Sequence, residues 1–339
     1  MWYGTGMKNV TIEDIARVAG VSKSTVSRVL NHTAVVAPEK RKAVIEATER
    51  LGFSPNVVAR SLASGRSMTV GVLTQLIGSP FYDAISQGVI AGLGYSDYSP
   101  IFADGQWQET KQIDAIGALV GRRVDGMVLI GGGVPSDEIS RQCSGLPTVI
   151  VARNLPSDRH HCIYMDNVSG GYLATRYLLQ QGHRQIAIIR GLEHHPDAVD
   201  RFAGYQQAFN EAGLTPDPRL IVDGDFSAES GIRAVNELLS RDLAFTAIFA
   251  ANDLSAFGAR LALDQRGMQV PRDVSLIGFD DQLESAYVTP PLTTVRQPAR
   301  EMGRQASEAI LNLIEGGEFS TQAVQGELII RQSVAPPLR

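Results

Sequence analysis

Near the start of the chain, apolar positions recur at three- and four-residue steps in three short stretches. Ile12, Ile15, Ala16 and Ala19 share one face of a first predicted helix. Thr11 offers its hydroxyl to the free amides of that helix, Asp14 completes a capping-box variant, and Gly20 supplies the stop. Ser22 caps a second helix whose stripe is Val26, Val29 and Leu30, leaving Lys23, Ser24, Ser27 and Arg28 polar. Pro38 opens a third, through Val44, Ile45, Ala47 and Leu51, closed by Gly52. Two short helices joined by Gly20-Val21-Ser22 have the layout of a helix-turn-helix. Ser54-Pro55 then starts a stretch over 57–62 that is too short to hold as an isolated helix.

From Met68 onward brief β-branched runs alternate with longer helical ones. Strands are predicted over 69–73, 100–103, 126–130 and 148–151, then over 162–165, 185–189, 220–222, 247–250 and 275–278. Helices over 81–93, 109–122, 168–181, 228–240 and 254–266 lie between them. This alternation predicts parallel sheets with helices on both faces, and roughly 270 residues are too many for one such sheet, so two similar lobes are expected. The fold class is thus an all-α helix-turn-helix head followed by a two-lobed α/β core. The expected divisions are an N-terminal extension over 1–6, a head over 7–52, a hinge and linker over 53–67 and a core over 68–339.

Charge sharpens that division. The net charge of −5 over 339 residues hides ten Lys or Arg against five Asp or Glu in residues 1–66, and twenty-one against thirty-one in the remainder. A compact basic head on an acidic body suits a polyanionic partner, because Lys and Arg make phosphate contacts and release counterions. Cys143 and Cys162 are too few for a disulfide framework or a four-cysteine zinc site, which predicts a reducing compartment. No apolar run approaches a membrane-spanning length and the start lacks a secretory signal, so a cytoplasmic location is expected.

The run VTIEDIARVAGVSKSTVSRVLN from Val10 to Asn31 resembles the DNA-binding head of the LacI/GalR family of bacterial transcription regulators. The resemblance continues through SPNVVARSL at 54–62, Ser79-Pro80-Phe81-Tyr82, Arg201-Phe202-Ala203-Gly204-Tyr205, Ala251-Asn252-Asp253, Ile277-Gly278-Phe279-Asp280-Asp281 and Pro291-Leu292-Thr293-Thr294-Val295. A helix laid in the major groove presents its first residues to base edges: Lys23 can donate to guanine O6 or N7, Ser24 can donate or accept, and Arg28 can reach a guanine or a phosphate. Thr11, Ser22, Thr25, Ser27 and Asn31 complete the expected DNA-facing set, with the Thr25 hydroxyl equally suited to helix packing. By resemblance the hinge contributes Asn56, Ala59 and Leu62, the last as an apolar wedge in the minor groove.

The core resembles a sugar-binding periplasmic protein, which places a small ligand where the strands of both lobes end. The positions implied are Phe81, Arg201, Phe226, Asn252 and Asp280. A carboxylate or Asn there can equally cap a helix, and Asp253 and Asp281 fall closer to that role. Ala152 stands where the family commonly has Asp, which weakens transfer of ligand identity. Gly131-Gly132-Gly133 lacks dinucleotide or P-loop spacing and reads as a turn. The adjacent pairs His160-His161 and His194-His195 do not offer two ligands on one helical face, and no nucleophile elbow appears. Trp107 suits either a ligand contact or a cover for a lobe edge.

These readings converge on a regulator with no cofactor. Its expected partners are a near-palindromic double-stranded operator, a second copy of the chain and a small effector, a sugar first. A nucleobase-like corepressor is the alternative, and a solute-binding or enzymatic α/β protein is the rival from another class. No heptad repeat follows Arg331, which favours a dimer over a tetramer.

Overall fold

The computed structural model describes residues 10–30, 35–52, 65–155 and 160–338. The expected extension over 1–6, most of the hinge, and Asn31, Asn56, Ala59 and Leu62 lie outside the described residues. The chain divides into two compact units, 1–67 and 68–339.

In the first unit, α1 (Ile12–Ala19), α2 (Lys23–Leu30) and α3 (Pro38–Leu51) surround a small core of Ile15, Ala16, Val26, Val29, Val44 and Ala47. The capping box forms: the Asp14 amide donates to the Thr11 hydroxyl at 3.3 Å, and the Thr11 amide returns a bond to the Asp14 carboxylate at 3.1 Å. Gly20 ends α1 at a φ of 66°, the left-handed turn a side chain would resist. Ile45 is 44% exposed, contrary to the expected stripe. It follows Val44 by 100° around the helix, so only Val44, Ala47 and Leu51 can face inward together.

The second unit holds two six-stranded sheets. In lobe 1, β1 (Thr69–Thr74), β2 (Ser99–Asp104), β3 (Gly126–Ile130), β4 (Thr148–Val151), β5 (His161–Met165) and β11 (Gln322–Val324) are ordered β11-β5-β4-β3-β1-β2, all parallel. In lobe 2, β6 (Ile186–Ile189), β7 (Ile221–Val222), β8 (Ala247–Ala250), β9 (Ser275–Asp280), β10 (Thr293–Arg296) and β12 (Glu327–Ile329) are ordered β12-β10-β9-β8-β6-β7, with β12 antiparallel to β10. Strands β1, β3, β4 and β8 are buried nearly throughout, as apolar runs in a sheet covered on both faces must be. The strands β10, β11 and β12 were not expected. They are three or four residues long and partly polar, below the length at which a pattern declares itself.

Three helix pairs pack around these sheets through glycines. They are α4 (Pro80–Leu93) with α11 (Ala299–Ile314), α7 (Asn167–Gln180) with α8 (Pro196–Glu211), and α9 (Ala228–Ser240) with α10 (Asp253–Gln265). A Cβ on Gly88, Gly171 or Gly231 would lie 2.0 to 2.1 Å from a carbonyl oxygen of the facing helix, and Gly303, Gly204 and Gly258 meet the same obstacle in return. Backbone-to-backbone approach of this kind fixes where each helix starts relative to its sheet. The chain passes between lobes three times, after β5, after β10 and between β11 and β12. No described helix is long and apolar enough to cross a membrane.

Candidate functional site

On the head, Ser22, Lys23, Ser24 and Arg28 are exposed along one side of α2 while Val26 and Val29 are buried on the other. The Ser22 hydroxyl lies 2.8 Å from those of both Ser24 and Thr25, and it accepts from the Thr25 amide at 3.2 Å. Thr25 and Ser27 are half-buried. The Lys23 ammonium meets Glu13 of α1 at 2.7 Å, with both side chains largely in solvent. The surface offers hydroxyl and cationic donors on a short helix narrow enough for a major groove.

In the second unit a cleft of about 790 Å³ lies between the lobes, at the carboxyl ends of their strands. Its walls include Trp107, the Gly131–Gly133 loop, Arg153, Asn167, His195, Asp197 and Gln297. None of Phe81, Arg201, Phe226, Asn252 and Asp280 is among the lining residues. Arg201, Asp280 and Phe226 touch lining residues directly, whereas Phe81 and Asn252 stand one contact further back, behind Tyr82 and Phe226.

Arg201, on α8, is 4% exposed and committed to lobe 2. Its Nε donates to Asn167 Oδ1 at 2.8 Å and its Nη1 to the Ala251 carbonyl at 2.6 Å. Its guanidinium sits 3.8 Å from the centre of the Phe279 ring, and Asp197 stands 3.7 Å away. Asp280 ends β9 at a φ of 112°, a conformation side-chain-bearing residues rarely hold, and this aims its carboxylate at the lobe crossing. There Gln297 Nε2 donates to Oδ1 at 2.7 Å, and Gln282 Nε2 lies 3.4 Å from Oδ2. Burial raises the Asp280 pKa to about 6, against the opposing pull of Arg201 and the two amides.

Asn252 caps α10: its Oδ1 accepts from the Ser255 amide at 3.0 Å and its Nδ2 donates to the Phe226 carbonyl at 2.9 Å. The capping role expected of Asp253 and Asp281 therefore belongs to Asn252. Asp253 is fully buried and accepts from Ser285 Oγ at 2.6 Å, Thr294 Oγ1 at 2.6 Å and the Gln282 amide at 2.8 Å. Burial, then the nearby Asp280, lifts its pKa to about 7. Asp281 instead pairs with Arg296 at 2.7 Å and Arg331 at 2.6 Å.

An edge-to-face aromatic series crosses the cleft. Phe81 meets Tyr82 at 5.2 Å, Tyr82 meets Trp107 at 5.5 Å, Trp107 meets His195 at 5.3 Å and His195 meets Phe226 at 5.3 Å. The Trp107–His195 step joins lobe 1 to lobe 2. Phe81 reaches the cleft only through Tyr82 and Trp107, because it lies at the first turn of α4. Phe226 is held at a φ of 68° with its ring over Gly191, where a Cβ would come within 2.0 Å of it. Burial pushes the Tyr82 hydroxyl well above its usual pKa, and Asp197 and Asp280 push the same way. Burial also lowers the His195 pKa, leaving Nδ1 free to accept from the Asp197 amide at 3.3 Å and cap α8. His195, set aside in the sequence as one of an uninformative pair, is thus part of the site. The Pro196 and Asp197 that follow it were the available signal for a helix start.

The Gly131-Gly132-Gly133 segment turns at positive φ, 63° and 92° at its first two residues, and exposes main chain to the cleft. Among the described residues no group of three His, Cys, Asp or Glu side chains could hold a metal ion.

Residues 11–56 match the family model described as bacterial regulatory proteins, lacI family, and residues 175–334 match a periplasmic binding protein-like domain. The HTH-type transcriptional regulator GalR of Escherichia coli K12 is 37% identical over 330 residues, 96% of each chain. A transcriptional regulator CelR–cellobiose complex matches at 33% identity with a TM-score of 0.72, over 96% of this chain and 99% of that one. The lac repressor dimer bound to operator and the anti-inducer ONPF matches at 27% identity with a TM-score of 0.86, over 97% of this chain and all of that one. The chain belongs to the LacI family of bacterial transcriptional regulators, with a helix-turn-helix head and a two-lobed periplasmic-binding-protein-like core.

Proposed function

We propose that this regulator is a dimeric repressor of carbohydrate-utilisation genes, released from its operator when a sugar enters the cleft. The observation that carries the reading is the site between the lobes: buried Arg201 and half-buried Asp280 beneath a wall that also presents Trp107 and His195. Flat aromatic faces suit the apolar side of a sugar ring, and carboxylates and amides suit its hydroxyls. The names of two solved relatives fit: one holds cellobiose, and another is a dimer on operator DNA.

A ligand that parts Trp107 from His195 would open the layer containing Arg201, Phe226 and Asp280. Gln297 lies in a lobe crossing and holds Asp280, so a hydroxyl that takes over the Asp280 carboxylate also disturbs the crossing. The ligand thereby favours one lobe angle over another, and linkage makes the operator affinity respond. Couplings of this kind run to about 1–3 kcal/mol, a change on the order of 5- to 150-fold. DNA contacts are assigned to Thr11, Ser22, Lys23, Ser24, Thr25, Ser27, Arg28 and Asn31, with Asn56, Ala59 and Leu62 in the hinge.

Selection of genomic fragments on the full chain, followed by retention assays with sugars and nucleobases, tests this. Recovery of a near-palindrome released by a sugar is expected, and Lys23→Ala should change its base preference. Retention strengthened by a nucleobase would replace the reading with the corepressor one.

A further inference from the structure

The cleft wall is one-sided in charge. Among the described residues, Glu109, Asp166, Glu193, Asp197 and Asp200 line it against one guanidinium, that of Arg153. Three of the five carboxylates have ordinary structural employment. Asp166 caps α7, accepting from the Ser169 amide at 2.9 Å, and Asp197 lies in the first turn of α8 beside Arg201. Glu109 opens the helix over Glu109–Gly121. Glu193 and Asp200 make no ion pair or hydrogen bond among the described residues. Asp200 is half-buried, and its pKa is raised by burial and by the neighbouring charges of Asp197 and Asp166. Carboxylates without a partner accept hydroxyl hydrogen bonds readily and repel any further anion, and the partial burial of Asp200 limits the water that would screen it.

Resting on the carbohydrate reading, we infer that the cleft is a charge filter, with Glu193 and Asp200 as specificity residues that admit an uncharged saccharide and exclude its phosphorylated or acidic counterparts. Arg153 does not reverse this. One of its guanidinium nitrogens donates to the Val134 carbonyl at 2.7 Å, and its remaining donors suit a ring or hydroxyl oxygen. The regulator then senses the sugar as it stands before a kinase or phosphotransferase acts on it, or after a glycosidase has released it.

Calorimetric titration of the full chain with galactose and cellobiose, with galactose 1-phosphate and galacturonate, and with the nucleobase hypoxanthine, tests the filter. At least one neutral sugar should bind about tenfold or more tighter than either anion at low ionic strength, with the ratio shrinking as salt rises. Asp200→Asn should bring the ratio to within about threefold. Glu193→Gln, at an exposed position, should lower it in part and serves where Asp200→Asn does not fold. Equal or tighter binding of an anion overturns the filter and leaves the carbohydrate reading intact, as does a preference for neutral sugar that neither substitution nor salt alters. Binding of hypoxanthine and of no saccharide, or of none of these probes, overturns both.

Discussion

On the head, Lys23, Ser24 and Arg28 stand in solvent on one eight-residue helix, and Lys23 and Ser24 pair with side chains of the same small bundle. In the core, Arg201, Asn252 and Asp253 are at most 6% exposed, and their partners come from segments 26 to 50 residues away, in addition to the local bonds. The difference follows from what each surface must do. A helix that reads base edges needs donors free to meet the duplex, so its stability rests on the apolar face behind them. A cleft that responds to a ligand needs groups whose positions are already fixed, and buried polar networks fix position at the cost of leaving nothing to spare if one member is removed. Function and stability should therefore separate on the head and coincide in the core.

The largest effect is expected from Arg201→Ala. It removes the donors to Asn167 and Ala251 and takes away the cation that offsets the mutual repulsion of Asp197 and Asp280. Removing one partner from a buried charge network typically costs about 3–5 kcal/mol. Urea denaturation should register that loss and operator-retention assays a loss of the effector response, and Arg201→Lys should recover little, since an ammonium cannot form both bonds in the same plane. A stability within about 0.5 kcal/mol of wild type would break the comparison, because it would make Arg201 as dispensable as a surface residue.

A smaller effect concerns pH. The Asp253 and Asp280 pKa values, about 7 and about 6, both lie above the unfolded carboxylate value. Groups raised in this way favour the folded state while they keep a proton, and the stabilisation is lost as pH rises through the folded value. The thermal midpoint of the core should fall between about pH 5 and pH 8, and Asp253→Asn should flatten the fall. The hydroxyls of Ser285 and Thr294 can turn to meet the amide, which keeps the network closed. A midpoint that climbs over this range would mean that both carboxylates are ionised and paired in the folded protein.

The same contrast explains what could be read along the chain. The head was legible because its instructions are local: Thr11 and Asp14 cap α1, Gly20 stops it, and the polar side of α2 follows at helical spacing. Buried strands such as β3, β4 and β8 were legible as apolar runs, and their bounds agree residue for residue. Asp253 was not, because the hydroxyls that define it, Ser285 and Thr294, lie 32 and 41 positions downstream. The meeting of Trp107 and His195 depends on how two lobes close, which no periodicity encodes. Resemblance supplied Arg201, Phe226 and Asp280, but could not say that Asn167, His195 and Gln297 stand between them and the open cleft.

The smallest expected effect is also the one that most sharpens the account of the head. Lys23, the residue proposed to meet a guanine, rests against Glu13 at 2.7 Å. On that proposal, reading a base means exchanging one acceptor for another. An exposed pair of this kind is weak, so Glu13→Gln should leave stability unchanged and raise affinity for a selected operator about two- to fivefold at low ionic strength. Screening should erase most of the gain at high salt, because the competing attraction is itself screened. Parallel titrations against the operator and a scrambled duplex separate two roles. A gain on both duplexes identifies Glu13 as a competitor for the Lys23 charge, whereas a loss confined to the operator identifies it as the residue that points Lys23 at its base.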